Sequence, residues 1–139
     1  MIIGADHALA QLAATIAFAD AGAQPSAIRL YADAAAASGA TPAGAPLAEV
    51  LLAKPCGAIA AGQLTLLVAT PAGSTVLATG QPRAAQWVNG AGKLVAAGSV
   101  TDVDHAGDFR IGGAPTAPGD DTPQLYAGGL VLLGAVVLG

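Results

Sequence analysis

The densest group of side chains that could do chemistry lies between residues 102 and 108. Three acids, Asp102, Asp104 and Asp108, stand at positions i, i+2 and i+6, and His105 lies among them. Carboxylates grouped on a flexible loop are typical of calcium sites, and a histidine adds a ligand for a transition metal. An EF-hand would need oxygen ligands at its fifth and twelfth positions, where this sequence has alanine and glycine. A calcium site and a solvated hairpin loop both stay open, and the second is favoured.

The sequence offers little for covalent catalysis. Ser74 and Ser99 both lack the Gly-x-Ser-x-Gly context of a nucleophile elbow, and His7 falls in the first turn of a predicted helix. Glu49 has no second acid at a spacing that favours glycoside hydrolysis. We therefore predict that the protein is not an enzyme, and we assign no catalytic, cofactor-binding or metal-ligating residue and no cofactor.

Charge is sparse over the whole chain. Only 14 of 139 residues are charged, or 10%, against about a quarter in an ordinary soluble domain. Spread over the roughly 6,400 Å² expected for a folded monomer of this mass, they leave uncharged patches of the kind that mark contact sites. Much of the 54% hydrophobic fraction is alanine, so a coding bias in a soluble monomer is the alternative. We favour a protein that packs against other copies or other subunits.

Several partners are excluded by the same composition. The net charge is −4, and the five Lys and Arg residues are scattered singly, so no nucleic-acid partner is expected. The apolar run from Leu125 to Gly139 is about 22 Å long as a helix, too short for a ~30 Å hydrocarbon core. No membrane partner is expected, and no secretory signal is visible at the N-terminus. The lone Cys56 is interpreted as a small buried hydrophobe.

One segment, Asp6 to Asp20, has the periodicity of an amphipathic helix. Asp6 is the predicted N-cap and Gly22 the predicted left-handed C-cap glycine. Phe18 lies off the apolar stripe, so its ring is available to a partner or a loop. The residues of that stripe recur at spacings of three and four: Leu9, Leu12, Ala13 and Ile16.

After Pro25 the pattern changes to short apolar runs bounded by Gly, Pro, Asn or Asp. Such runs at regular spacing predict strands of a sandwich or barrel. The fold class is mainly β: a single domain over 1–139, with an N-terminal arm and α-helix in 1–24 and an antiparallel β-sandwich or jelly roll in 25–139. The predicted strands are Ala27–Tyr31, Leu47–Ala53, Gln63–Thr70, Ser74–Ala78, Arg83–Asn89, Lys93–Val100, Phe109–Gly112 and Gln124–Leu138.

Turns and loops connect these strands. Thr70–Gly73 predicts a type II turn, and the pair Asn89-Gly90 predicts a hairpin that joins Ala84–Val88 to Leu94–Val95. The stretch from Asp33 to Pro46 is predicted as a long loop with a helical turn at its start, and Gly112–Pro123 as an exposed loop. Trp87 is expected in the core, with partner contact and sugar stacking beside Tyr126 as the alternatives.

From Ala21 onward the chain resembles small virion proteins of tailed bacteriophages that are encoded near the major capsid protein. The resemblance covers about 110 residues and is a pattern of strands and turns with no catalytic motif. Its features are Ile28-Arg29-Leu30-Tyr31 after the helix, Leu47-Ala48-Glu49 after a Gly/Pro loop, Gly80 to Trp87, Gly98-Ser99-Val100-Thr101 with Asp108-Phe109-Arg110-Ile111, and a closing run of small and aliphatic residues.

This resemblance implies a non-enzymatic virion structural protein, most simply a capsid decoration (cement) protein that binds the major capsid protein lattice and other copies of itself. It would reside on the capsid surface, after a period in the host cytoplasm during assembly. A tail, neck or baseplate subunit is the first alternative. A lectin-like or calcium-dependent ligand-binding β-sandwich is the second.

The interface residues predicted for this role are apolar. The expected docking elements are the apolar arm at the start of the chain and the charge-free segment from Leu130 to Leu138, which could add a strand to a neighbour's sheet edge. The predicted interface residues are Met1, Ile2, Ile3, Phe18, Leu130, Val131 and Leu132.

Overall fold

The computed structural model describes residues 1–139 and is mainly β, with one α-helix, as the sequence predicts. Helix α1 spans Ala5–Ala19, and a 3₁₀ helix spans Ala34–Ser38. The nine strands are β1 Ala27–Tyr31, β2 Ala48–Ala60, β3 Gln63–Val68, β4 Ser74–Thr75, β5 Ala84–Val88, β6 Leu94–Asp102, β7 Phe109–Gly112, β8 Leu130–Leu133 and β9 Val137–Leu138.

The strands form one hydrogen-bonded sheet in the order β4-β8-β7-β6-β5-β1-β2-β3-β9. This sheet curls back on itself, because Val76, just after β4, bridges to Ala48 at the start of β2. The N–H of Leu77 also donates to the carbonyl of Leu47 at 2.7 Å. Strand β4 is therefore held on both sides, by β8 and by the start of β2.

The sheet is mixed, so the predicted purely antiparallel arrangement is wrong. Strands β6 and β7 run parallel, with Val100 opposite Phe109, although only residues 103–108 connect them. The connecting loop folds back beside β6: the N–H of Gly107 donates to Thr101 Oγ1 at 2.9 Å, and that of Asp108 donates to Ser99 Oγ at 3.2 Å. The segment is consequently an exposed return loop, and the prediction of a hairpin there is wrong.

Helix α1 begins and ends within one residue of the predicted bounds, but its cap differs. Gly4 is the N-cap and has no side chain to accept a bond, while Asp6 lies in the first turn. The buried stripe of the helix is rotated from the predicted one. It consists of Leu12, Ile16 and Ala19, whereas Leu9 and Ala13 face outward.

The main apolar core joins the helix to the curled sheet, and a smaller cluster of Tyr31, Ala36 and Ala84 lies under the 3₁₀ helix. Leu12 and Ala19 of α1 pack in the same cluster as Ile28, Leu52 and Trp87 of the strands. Trp87 is 1% exposed, which confirms the predicted core position. Strand β5 is buried at all five residues, since the core covers one face and the 3₁₀ helix lies near the other.

The predicted strand Gln124–Leu138 is two strands at distant positions in the sheet. Strand β8 pairs with β4 and β7, whereas β9 pairs with β3 at the far end of the strand order. The predicted helical turn after Asp33 is confirmed and is the 3₁₀ helix, at whose start Asp33 accepts the N–H of Ala35 at 3.0 Å. No helix in the chain has the length and apolar character that crossing a bilayer requires.

Two turns are present with altered geometry. Gly73 closes the predicted turn by donating to Thr70, but it occupies the fourth position and Ala72 has no positive φ, so the turn is not type II. The hairpin at Asn89 is confirmed as a wider loop that ends where Asn89 receives the N–H of Lys93 on its side-chain oxygen. Within this loop, Gly92 adopts a left-handed backbone conformation, with φ at 81°.

Candidate docking surfaces and the acidic cleft

The N-terminal arm, residues Met1 to Ile3, projects from the start of α1 without packing on the rest of the chain. Met1 and Ile2 are fully exposed, and Ile3 is 58% exposed. The first helical bond starts at Gly4, whose carbonyl accepts the N–H of Ala8 at 3.0 Å. Two large apolar side chains are therefore fully presented to water, and a third is more than half exposed.

Phe18 lies at the other end of α1, and its side chain is also exposed, at 44%. Its backbone is fixed, because the carbonyl of Phe18 accepts a hydrogen bond from Asn89 Nδ2 at 3.1 Å. The side-chain oxygen of Asn89 at the same time receives the N–H of Ala91. The end of the helix is thus anchored to the β5–β6 loop while the Phe18 ring stays accessible.

The three predicted interface residues of β8 are split by the alternation of the strand. Leu130 and Leu132 face outward, but Val131 has no exposed surface and packs in the core. Val131 is therefore removed from the set of surface contacts. Because β4 and β7 flank β8 on both sides, residues 130–133 have no free edge with which to add a strand to a neighbouring sheet. The rest of the predicted segment contains β9, which pairs with β3 alone and lies at the end of the strand order.

In the acidic loop, Asp102 and His105 form a direct pair. His105 Nδ1 lies 2.6 Å from Asp102 Oδ1, and the same oxygen accepts the N–H of Asp104 at 3.0 Å. The spacing of three residues within a turn makes this contact geometrically easy. That spacing is visible in the sequence, but neither the calcium-site nor the solvated-loop interpretation predicts the pairing of these two side chains.

The three carboxylates of the predicted calcium loop are not gathered around one point. Asp108 points back to β6, where its Oδ2 accepts the N–H of Ser99 at 3.0 Å and the hydroxyl of Ser99 at 3.2 Å. Nowhere in the chain do three His, Cys, Asp or Glu side chains come together as a metal-binding group. The carboxylates of Asp102 and Asp108 are used for bonds within the chain.

An open cleft of about 880 Å³ separates the acidic loop from residues 112–121. The two walls are tied together, since the N–H of Asp102 donates to the carbonyl of Asp121 at 2.7 Å. Arg83 is the one Lys or Arg residue lining the cleft, and its Nη1 lies 3.5 Å from Asp121 Oδ1. Sequence reasoning predicted both loops as exposed but gave no reason to place them side by side.

Pairing in the cleft shifts the pKa of Asp102 and the pKa of His105. The hydrogen bond from His105, followed by one from Thr116, lowers the pKa of Asp102. The hydrogen bond to Asp102, with further attraction from Asp121 and Asp104, raises the pKa of His105 above its usual value. Both shifts favour the charged pair, although His105 is half exposed and water screens the interaction.

Cys56 has no exposed surface, which confirms that it is a buried residue. Burial raises the pKa of its thiol to about 11, and the nearby carboxylate of Asp20 adds to this effect. Asp20 also accepts the backbone N–H of Cys56 at 3.0 Å. A protonated, inaccessible thiol at this position is structural.

The remaining catalytic candidates are dispersed. No serine hydrogen-bonds to either histidine: Ser99 is bound to Asp108, and His7 is exposed on α1. Glu49 is paired with Arg29, whose Nε lies 2.8 Å from Glu49 Oε2. These groups do not converge on a common site.

The two aromatic residues considered for sugar stacking do not form one platform. Trp87 is buried, with its Nε1 unpartnered, whereas Tyr126 is 65% exposed at the turn before β8.

In comparisons with known proteins, the chain matches no protein-family model, no curated protein and no solved structure.

Proposed function

We propose that this chain is a structural subunit of a tailed-phage virion, in the role of a capsid decoration protein that binds the major capsid protein lattice. The observation that carries the proposal is the unpacked apolar arm, Met1 to Ile3. The resemblance in strand and turn pattern supplies the class of particle. A decoration protein works by burying area at subunit junctions and requires no chemistry.

The surface of the folded chain supports this role. Its accessible area is 7173 Å², larger than the roughly 6,400 Å² expected for a monomer of this mass. With 14 charged residues, this leaves one charge for roughly 500 Å² of surface. Fourteen large apolar side chains are exposed. Such a surface is costly in water, so burial against neighbours is expected to stabilise it.

Docking through the arm would bury the apolar side chains that the folded chain leaves exposed there. Each large apolar side chain contributes about 1.5–3 kcal/mol when it is fully buried, so three together can anchor a contact. Repetition around a shell raises the effective affinity further. We also propose that the curled sheet belongs to the sandwich or jelly-roll class, since it encloses the main apolar core.

The test is the copy number of the protein in purified particles of the phage that encodes it, measured by gel densitometry. A decoration role requires copies in proportion to the major capsid protein. A handful of copies per particle would instead indicate the alternative, a tail, neck or baseplate subunit. Absence from the particle would contradict the virion proposal altogether.

A matched pair of variants tests the arm. Deletion of Met1 to Ile3 keeps the N-cap Gly4 and its bond to Ala8, so it should leave thermal stability nearly unchanged and abolish incorporation into particles. Val103→Ser, which removes an exposed apolar residue from the acidic loop, serves as the control and should incorporate normally. Unchanged incorporation of the deletion variant would contradict docking by the arm.

A further inference from the structure

We propose that Asn89 is a site of spontaneous deamidation, which the fold suppresses until the end of α1 detaches from the β5–β6 loop. Deamidation then keeps the two apart. The inference goes beyond the proposed function, because it follows from chemistry within the chain and holds whether or not the chain binds a capsid.

The pair Asn89-Gly90 is the dipeptide in which asparagine loses its amide most readily. The backbone nitrogen of Gly90, after giving its proton to a base in solution, attacks Cγ of Asn89 and closes a five-membered succinimide. The side-chain nitrogen takes up a proton and leaves as ammonia. Water then opens the ring at either carbonyl, which gives aspartate or isoaspartate. Glycine favours the first step because it has no side chain to obstruct the approach.

In the native structure, hydrogen bonds fix both the side chain and the backbone of Asn89, which is only 5% exposed. Its Oδ1 accepts the N–H of Ala91 at 3.0 Å and that of Lys93 at 2.9 Å. Its Nδ2 donates to the carbonyl of Phe18 at 3.1 Å. Its backbone N–H donates to the carbonyl of Lys93, and its own carbonyl accepts the N–H of Gly92, both at 2.9 Å. Each polar atom of this residue therefore has a partner.

These bonds oppose ring closure. The reaction makes Cγ tetrahedral and removes Nδ2, so the bond to Phe18 must break and the bonds to Oδ1 must leave the amide plane. The attacking atom is not held in this way, since the N–H of Gly90 donates no hydrogen bond within the chain. Aligned attack over about 3–3.5 Å thus depends on release of the Asn89 side chain from the end of α1.

The loop also lies tightly against the segment that follows the helix. A Cβ added at Gly90 would lie 1.9 Å from the carbonyl oxygen of Gln24. One added at Gly22 would lie 2.7 Å from the backbone nitrogen of Ala91. Backbone contacts this close leave little space for an amide to turn into a ring or for water to reach it. The reaction therefore requires the segment after the helix to move away from the loop.

The end of α1 is held by few contacts, which suits it to local opening. Of residues 16–20, only Ala19 is buried. Asp20 accepts the N–H of Cys56 at 3.0 Å, and Lys54 Nζ donates to the carbonyl of Gly22 at 2.9 Å. Segments held in this way open with a free energy below that of global unfolding. Asn89 is consequently exposed to reaction more often than the core is exposed to water.

Neither product can restore the native contact. Aspartate at position 89 has no N–H to donate, so a carboxylate oxygen would face the carbonyl of Phe18 at a nearly inaccessible position. Isoaspartate adds one atom to the main chain beside Gly90, where the backbone of Gln24 leaves no room. Because ammonia has left, the change is permanent, and the end of α1 stays detached.

The reaction can be followed at a single site, because Asn89 is the only asparagine in the sequence. The full chain is incubated in mildly alkaline buffer, either native or unfolded in guanidinium chloride, and the peptide containing residue 89 is quantified by mass spectrometry. We expect the native chain to deamidate at least about 10-fold more slowly, since only open molecules react. Equal rates in the two states would overturn suppression by the fold.

Two variants loosen the end of the helix. Asp20→Ala removes the acceptor of the Cys56 N–H and should speed native deamidation about 5- to 30-fold. Lys54→Met removes the bond to Gly22 and should speed it about 2-fold or more. Val131→Ala is the matched control. It opens a cavity in the core on β8, three positions from β5 in the strand order, and should leave the native rate within about 2-fold.

These rates decide whether the opening is local. Unchanged deamidation in both loosened variants would contradict release through the end of α1. An acceleration in Val131→Ala as large as that in Asp20→Ala would mean that only global unfolding exposes Asn89, which would contradict it equally. Denaturant titration of each variant confirms that the chain remains folded and gives its global stability for the comparison.

The consequence of the modification is tested with Asn89→Asp, which reproduces the aspartate product. We expect a lower midpoint of thermal unfolding, by several degrees, and faster hydrogen exchange in the last turn of α1, because the bond to Phe18 is lost. Deamidated wild-type chain, separated by anion exchange, should show both changes. Native stability and native exchange in that material would contradict lasting detachment. None of these measurements involves a particle, so their failure leaves the virion proposal unaffected.

Discussion

The carboxylate of Asp20 accepts the backbone N–H of Cys56, with Oδ1 at 3.0 Å and Oδ2 at 3.4 Å. Asp20 is the C-cap residue of α1, and Cys56 is a buried residue of β2. The bond therefore joins the end of the helix to the middle of the longest strand. Near the same point, Lys54 Nζ donates to the carbonyl of Gly22 at 2.9 Å.

We expect Asp20→Ala to lower the free energy of unfolding by about 1–3 kcal/mol, because a buried N–H loses its acceptor. Denaturant titration followed by Trp87 fluorescence measures this. Asp20→Asn keeps an acceptor oxygen and should cost clearly less. Asp6→Ala, an exposed acid in the first turn of the helix, provides a second comparison. Equal stability of all three variants would contradict the role of Asp20.

The Cys56 thiol should be unreactive towards a thiol reagent in the native protein and should react once the protein is unfolded. Its pKa rises from 9.0 to about 11 on folding, so the folded state keeps the proton at pH values where the unfolded state loses it. Stability from this group is complete below about pH 9 and falls between pH 9 and 11. Cys56→Ala should lack that part of the alkaline decline. Rapid native labelling at pH 8 would argue against a buried thiol.

The Asp102–His105 pair should give a stability window on the pH scale. His105 has a raised pKa, so its contribution is present below its usual value of 6.5 and is lost as the pH rises through the folded pKa. Asp102 has a lowered pKa, so its contribution is present above 3.8 and is lost as the pH falls. The pair acts between these limits.

The pair is checked by following the His105 ring protons by NMR across a pH titration. In Asp102→Asn the pKa of His105 should move down, because the largest cause of its elevation is removed. Ser99→Ala, which removes a partner of Asp108 in the same loop, should leave the His105 titration nearly unchanged. Identical titrations in wild type and Asp102→Asn would rule out the contact.

A Cβ at Gly90 has no room. It would lie 1.9 Å from the carbonyl oxygen of Gln24, a backbone atom that cannot move aside on its own. We expect Gly90→Ala to destabilise the fold by about 2 kcal/mol or more through overpacking. Gly112→Ala is the control, since nothing lies within 4 Å of its added Cβ and its φ is not positive. Thermal unfolding should separate the two variants.

Local signals predicted the elements well. Apolar periodicity and the glycine that follows indicated α1. The flanking residues, Asp108 and Gly113, gave the correct bounds for the strand from Phe109 to Gly112. The buried face of α1 was predicted wrongly because Leu9, although apolar, is exposed and not packed against a strand. Strand β2 was predicted too short, since Pro55 and Gly57 interrupt its apolar run.

The pairing partners of the strands could not be predicted from local sequence patterns. A six-residue connection normally makes a hairpin, whereas β6 and β7 run parallel because the side chains of Thr101 and Ser99 bind the returning loop. The run from Gln124 to Leu138 has no charge to mark its division into β8 and β9.

The surface was predicted in part. Exposure of Met1 to Ile3 and of Phe18 follows from their position outside the apolar stripe. The inward orientation of Val131 depends on the register with Ser74, which lies 57 residues earlier in the chain. No local pattern carries that information.

Residues 130–138 supply strands near both ends of the sheet order, β8 beside β4 and β9 beside β3. Their partners in β3 and β4 lie more than 50 residues upstream, so closure depends on contacts of long sequence separation, which form slowly. Until this segment docks, β3 and β4 lack their partner strands β9 and β8, and the apolar core is exposed to water. Truncation before Leu130 should thus produce aggregation in place of a smaller stable fold.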